Sequence, residues 1–435
     1  MSAVSEFGVR RSEMGDLATE EEGEGTEDGG QKSDVGRQSA VISRPALRIA
    51  LLTAGRDKPY ALGMAAALTS IGIRVDFIGS DEVASPELIQ NRHVRFLNYR
   101  DQRPDAGLVA KMLRVTAYYW RLIRYAATTE VKVFHVLWNN KFELFDRTLL
   151  MLYYKLLGKK IILTAHNVNA GKRDSNDSWL NRLSLRIQYH LSDHIFVHTK
   201  AMKTELLADF GVPEEIVSVI PFGVNDTVAN TDVSSVESKR RLGLEPSDKA
   251  ILFFGNIAPY KGLEYLIAAF IKLAAARDDY RLIIAGRVKG PESYWSDIWE
   301  KLDGGGLKDR VITRIEYIPD EETELYFKAA DVLVLPYTRI FQSGVLFLGY
   351  NFGLPAVVSD VGALKEEIIE GKTGFVFKSR DSADLAAKIE KYFNSEVFEK
   401  LEERRAGIKE YANERFSWSK VATVTRETYL RLLGI

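Results

Sequence analysis

The chain has 435 residues, of which 46% are hydrophobic and 11% aromatic, enough to bury two or three ordinary cores and too many residues for one. It contains no cysteine, which excludes disulfides, thiolate metal sites and cysteine nucleophiles and fits a reducing cytoplasm. Residues 1–38 hold ten Asp/Glu against four Lys/Arg within a formal net charge of -1, so the rest is mildly basic, suited to a phosphate-bearing ligand but not to a nucleic-acid binder.

Residues 1–44 are rich in Glu, Gly, Ser and Asp and are expected to form a disordered acidic tail, since they cannot bury enough surface to offset ordering. No apolar run approaches about 20 residues, and the first residues show no signal pattern, so a cytoplasmic location is expected. Order begins at 47–53 (LRIALLT), followed by a helical stretch over 60–70 and an apolar run over 75–79, a strand-helix-strand unit with a right-handed crossover. Strands at 133–137, 160–165 and 194–198 alternate with helices around 147–157 and 179–191. After Pro221 and Gly223 a polar stretch over 225–235 reads as a linker. The alternation then restarts, with strands at 250–255, 281–286, 331–336 and 356–359 and a helix over 262–275.

These elements predict an α/β chain of two Rossmann-like, doubly wound domains, over 45–226 and 227–415. An amphipathic segment over 416–435 is expected to pack back across their junction.

Ligands of open parallel sheets sit beyond the carboxyl ends of the strands, so the loops there carry the function. Lys261 stands just before a helix, where it can reach an anion held at the helix's positive end; the plain alternative is a solvated lysine in a turn. Gln342, Ser343, Gly344 and Val345 lie between a strand and a helix, and small residues there let backbone N–H groups approach a phosphate.

The series KG before an apolar helix, an IAG strand, ADVLVLPY, FGLPAVVSDVG and GKTGFVF resembles the C-terminal domain of family 4 glycosyltransferases. TAHNV at 164–168, VIPFGV at 219–224 and the closing FSW helix resemble the same family, so the resemblance runs from about residue 47 onward. It implies a GT-B fold with a cleft between domains, a nucleotide-sugar donor bound mainly by the second domain, and a retaining transfer that needs no metal or other cofactor. It further implies that Lys261 meets the donor phosphates, that His166 contacts the donor sugar, and that Gly55 and Lys58 lie on a loop facing the phosphates. The donor set also takes in Gly255, Asn256, Arg287, the base-contact region near Tyr317, and the segment from Gln342 to Val345. The acceptor expected by family habit is lipid-linked or an oligosaccharide, in envelope or extracellular polysaccharide synthesis.

Three positions depart from the family pattern. Asn256 stands where an arginine is usual, and Ile340 and Leu348 stand where two glutamates are usual, as in a bacterial branch that relies on backbone donors through a QSGV loop. Arg287 then supplies a second positive charge. These departures keep open a catalytically silent relative that binds a nucleotide or a partner transferase, and a sugar-nucleotide epimerase or phosphorylase on the same fold.

His190, His194 and His198 are spaced by four, but a helix ends between the first two and the last two lie on a strand, so a shared metal site is not expected. Residues 108–127 interleave Lys111, Arg114, Arg121 and Arg124 with Tyr118, Tyr119, Trp120 and Tyr125. That segment reads either as a helix resting on the inner membrane face or as an amphipathic core helix.

Overall fold

The computed structural model describes residues 47–55, 57–100, 107–173, 176–224 and 228–435. The acidic tail expected over 1–44 lies outside the described residues. From Pro45 onward the chain forms one compact unit.

Thirteen strands form two sheets among the described residues. The first holds β1 (Arg48–Leu52), β2 (Arg74–Ser80), β3 (Val94–Arg100), β4 (Val133–Val136), β5 (Lys160–Ala165), β6 (His194–Val197) and β7 (Val217–Val219). Its order is β3-β2-β1-β4-β5-β6-β7, and every pairing is parallel. The second holds β8 (Lys249–Phe254), β9 (Tyr280–Ala285), β10 (Val311–Arg314), β11 (Val332–Leu335), β12 (Ala356–Ser359) and β13 (Gly374–Phe377), again all parallel, in the order β10-β9-β8-β11-β12-β13. Each order reverses beside its first strand, so a crevice opens between β1 and β4 in one sheet and between β8 and β11 in the other. The runs that form the central strands are almost unbroken Ile, Val, Leu and Phe because helices cover both faces.

The edge strands β3 and β7 carry weaker apolar signals than the central ones; β7 has three residues, and β3 is only half-buried. From Val228 onward the polar stretch read as a linker is packed rather than loose. Val228 is buried in the second domain's core, and the Thr231 hydroxyl donates to Glu324 at 2.9 Å. A helix absent from the sequence reading, Ser235–Arg241, follows it, and the Lys239 ammonium donates to Asp331 at 2.9 Å with both side chains buried. Asp331 also accepts from the backbone N–H of Ala250, which ties this helix to the centre of the second sheet.

The closing segment is two helices. Leu401–Phe416 packs Ile408, Ala412 and Phe416 into the second domain's core, while Trp418–Leu433 packs Val421 and Tyr429 into the first domain's. Between them the Phe416 carbonyl accepts from Val224 N–H at 3.0 Å, so the two chain crossings between domains are hydrogen-bonded to each other. The Trp418 indole N–H donates to the Val224 carbonyl at 2.9 Å and its ring lies on Gly63 and Gly223, where any β-carbon would overlap it.

Candidate active site

The carboxyl ends of the two sheets bring the predicted residues into two groups. On the second domain, Gly255 follows β8 at φ 101, a conformation that favours glycine, and lies beside the helix Gly344–Asn351, where a β-carbon would stand in ordinary contact with Val345 Cγ2 at 3.4 Å. Asn256 is half-buried next to it. Gly262 has φ 65, and a β-carbon there would stand 2.0 Å from the Pro336 carbonyl oxygen, so only glycine lets this turn press against the end of β11.

That turn carries Lys261, which is 7% exposed. The solvated-lysine alternative is therefore excluded: the Nζ lies 3.8 Å from the centre of the Tyr337 ring, and the aliphatic stem is packed. Tyr337 is fully buried, with its hydroxyl 3.2 Å from Ser343 Oγ. Ser343 immediately precedes the helix Gly344–Asn351, and no side chain caps that helix. Gly344 is exposed, so the first N–H groups and the positive end of the helix face open space beside a buried cation. The side-chain amide oxygen of Gln342 is buried there without a partner. Arg287 is exposed, its guanidinium carbon 5.9 Å from the Tyr317 ring, and Tyr317 itself is exposed.

Leu348, at a position where the family usually has a glutamate, is buried in the second domain's core, and Ile340 is packed against the same core. The site thus offers backbone donors and cations, with no carboxylate at those two positions.

On the first domain, the loop after β1 holds three left-handed residues, Ala54 at φ 52, Gly55 at φ 67 and Asp57 at φ 44. Two of them are not glycine, a strain that clusters at functional loops. Lys58 opens the next helix and lines a cavity of about 530 Å³ with Glu87, Asp320 and Glu321, so the structure places it among carboxylates.

His166 follows β5. Its ring lies flat on Trp138, with centroids 4.2 Å apart and planes at 2°, and takes the Tyr60 ring edge-on at 4.6 Å. Its Nδ1 is 3.1 Å from Nε2 of His198, and its own Nε2 is buried with no partner among the described residues. Burial, reinforced by His198, holds His166 well below the ordinary histidine range, so it is neutral near pH 7. Burial likewise pushes His198 down to about 4, opposed by the carbonyls of Ile220 and Pro221.

Phe222 joins the two groups. Its ring is 5.0 Å from His198 and 5.4 Å from Phe347, and one edge lies 3.6 Å from where a β-carbon of Gly344 would stand. The segment before the QSGV loop also reaches across, since the Arg339 guanidinium donates to the Lys172 carbonyl.

His190 and His194 stay apart from this cluster. His190 faces its own helix and His194 meets Arg431 at 3.0 Å, as expected for a spacing that straddles a helix end. His198 is different, and sequence reasoning missed it along with Trp138, Phe222 and Tyr337. The signal that selected His166, a histidine just past the carboxyl end of a buried parallel strand, applies equally to His198.

Two doubly wound parallel sheets, the second presenting an open helix terminus beside a buried cation past its strands' carboxyl ends, define a GT-B fold. The family described as Glycosyltransferase Family 4 matches residues 59–228, and that described as Glycosyl transferases group 1 matches residues 248–395. The chain belongs to the family 4 glycosyltransferases.

It is similar to the D-inositol 3-phosphate glycosyltransferase of Pseudarthrobacter chlorophenolicus, 27% identical over 54% of this chain and 55% of that one. It is also similar to the lipopolysaccharide core biosynthesis mannosyltransferase LpsB of Rhizobium meliloti, 31% identical over 38% of this chain and 47% of the other. These matches span about half the length of each relative. Among solved structures, Anabaena HepE in complex with UDP and glucose shares the fold at a TM-score of 0.67 and 17% identity, over 88% of this chain and 99% of that one.

Proposed function

We propose that this chain is a retaining glycosyltransferase that moves a sugar from a nucleotide-sugar donor to a lipid-linked or oligosaccharide acceptor. The observation that carries the reading is the convergence of buried Lys261, through Tyr337 and Ser343, on the uncapped start of the helix Gly344–Asn351. An anion held there meets oriented N–H groups and a fixed positive charge, which strengthen their hold as negative charge develops on a departing diphosphate. In the reaction, the bond from the anomeric carbon to the diphosphate oxygen breaks while the acceptor oxygen bonds on the same face. The acceptor proton passes to the departing phosphate oxygen.

Arg287, with its guanidinium at the Tyr317 ring, supplies a second cation in place of the arginine that Asn256 replaces. The sugar extends toward His166, whose unpartnered Nε2 suits a hydroxyl. UDP is the nucleotide in the complex of the structural neighbour, and one relative is named for D-inositol 3-phosphate and the other for lipopolysaccharide core biosynthesis.

The helix Leu108–Thr128 supports contact with an anionic membrane face. It buries Tyr118, Leu122 and Tyr125 and exposes Val109, Met112, Leu113 and Trp120 along the opposite side. A cavity of about 530 Å³ beside Trp120 is lined by Arg48, Arg95, Arg121 and Arg124. Apolar and aromatic groups flanked by arginines suit the headgroup region. No helix among the described residues is long and apolar enough to cross a membrane.

The test is binding of UDP-, GDP- and ADP-sugars, followed by transfer to lipid-linked and oligosaccharide acceptors. Transfer with the anomeric configuration kept supports the reading. Binding without turnover supports the silent relative that the apolar Ile340 and Leu348 keep in view.

A further inference from the structure

Past the carboxyl ends of β5 and β6 lie two histidines in contact, of which only His166 has a buried ring nitrogen with no partner among the described residues. His198 Nδ1 approaches the Ile220 carbonyl at 3.4 Å, and a carbonyl oxygen can only accept. That nitrogen therefore carries the proton, and Nε2 of His198 is left with a lone pair. His166 Nδ1, 3.1 Å away, can satisfy that lone pair only by donating. It follows that Nε2 of His166 is unprotonated and is a hydrogen-bond acceptor.

This nitrogen is buried and unpartnered, and an unmet buried acceptor is a standing cost that a bound hydroxyl would remove. The ring cannot easily turn to escape, held flat on Trp138 and edge-on by Tyr60. The neutral state of both imidazoles near pH 7 is consistent with such a chain of single donors.

We infer that His198 is a positioning residue: anchored by the Ile220 carbonyl, it fixes His166 in the Nδ1–H tautomer so that Nε2 accepts a hydrogen bond from a hydroxyl of the sugar in the cleft. This rests on the transferase reading only for the identity of the ligand. The tautomer itself belongs to the free protein. The inference also excludes a role for the unpartnered Nε2 of His166 as a proton donor to the leaving phosphate, because it has no proton to give.

The test begins with the full chain, histidine-labelled with 15N, and no ligand. Two-bond proton–nitrogen spectra at pH 7.5 should show His166 with Nδ1 protonated and Nε2 bare, and the His198→Phe variant should revert to the Nε2–H form favoured by free imidazole. A wild-type His166 protonated on Nε2, or one whose tautomer is unchanged in His198→Phe, overturns the inference. If His198→Phe does not fold, the wild-type spectrum alone decides.

In a second arm, with UDP-glucose as probe and donor cleavage as readout, His198→Phe should lower kcat about 10-fold or more with a smaller change in UDP binding. His198→Gln, which keeps an acceptor near the Nε2 position, should recover most of that loss. Equal losses in the two variants would overturn the positioning role. Because the spectra need no donor, failure of the transferase reading and failure of this inference are distinguishable.

Discussion

The ammonium of Lys261 lies 3.8 Å from the centre of the buried Tyr337 ring, and the hydroxyl at the far end of that ring meets Ser343 at the threshold of an uncapped helix. In the proposed transferase, lysine and helix terminus act as two parts of one anion site. Replacing Lys261 with Ala or Met should lower turnover about 100 to 1000-fold, in line with the loss of other preorganised donors. Because the lysine is packed and not exposed, Lys261→Ala should also lower unfolding stability by roughly 1 to 3 kcal/mol, while Lys261→Met keeps most of the packing. Steady-state kinetics and denaturant melts of both variants check this; parent-rate transfer by either would remove the phosphate assignment.

Donor binding should persist in the presence of a chelator. In the proposed reading lysine, arginine and helix N–H groups would carry the phosphate charge, and the described residues hold no group of three or more His, Asp or Glu placed to ligate a metal. Calorimetric titration of UDP with and without EDTA measures it, and binding that vanishes and returns with magnesium would contradict it.

The Lys239–Asp331 pair is buried on both sides at 2.9 Å and fastens the helix Ser235–Arg241 to the second sheet. Lys239→Met strands the carboxylate and should cost about 3 to 5 kcal/mol of stability. A urea melt with an unchanged midpoint would show that the pair is dispensable.

His194 is buried beside Arg431, and burial first, then the repulsion of Arg431 and Lys203, pushes its pKa from 6.5 down to about 4. The unfolded chain therefore takes up a proton between pH 6.5 and 4 that the native chain refuses. The stability linked to neutral His194 is fully present above pH 6.5 and is lost as pH falls through that window, at about 1.4 kcal/mol per pH unit. The stability gap between the parent and His194→Asn should shrink by that slope on acidification. A gap that is constant from pH 7 to 4.5 would refute it.

Membrane contact through the helix Leu108–Thr128 predicts co-flotation with vesicles containing phosphatidylglycerol and weaker binding to pure phosphatidylcholine. Arg121→Glu and Arg124→Glu should each weaken binding by more than the roughly 1 kcal/mol that one basic group contributes at an anionic surface. Trp120→Ser should weaken it at all lipid compositions, because it removes apolar burial. Equal binding by parent and variants would place the contact elsewhere.

Much of this fold could be read from hydrophobic runs, because strands buried on both faces announce themselves: 356–359 coincides with β12, and the helix expected over 179–191 has those bounds. The half-buried edge strand β3 and the helix Ser235–Arg241, whose anchor is one buried ion pair, give no such run. At the candidate site, loop positions were legible because parallel sheets bind at their carboxyl ends. Side-chain partnerships were not: nothing in the spacing of His166 and His198, each just past the end of one of two successive strands, shows that their rings touch. Lys261 looks like a surface residue in sequence, and only the folded turn at Gly262 buries it.

The helix Trp418–Leu433 completes the first domain's core, with the Tyr429 hydroxyl meeting His135 at 2.6 Å beneath β4. During synthesis, then, the first domain emerges with a gap in its interior that stays open while nearly two hundred further residues are made. The second domain, framed between the two crossings, has every piece of its own core before that gap is filled. The domain translated first is the domain finished last, and released chains truncated after residue 417 should carry a closed second domain tethered to an unfinished first one.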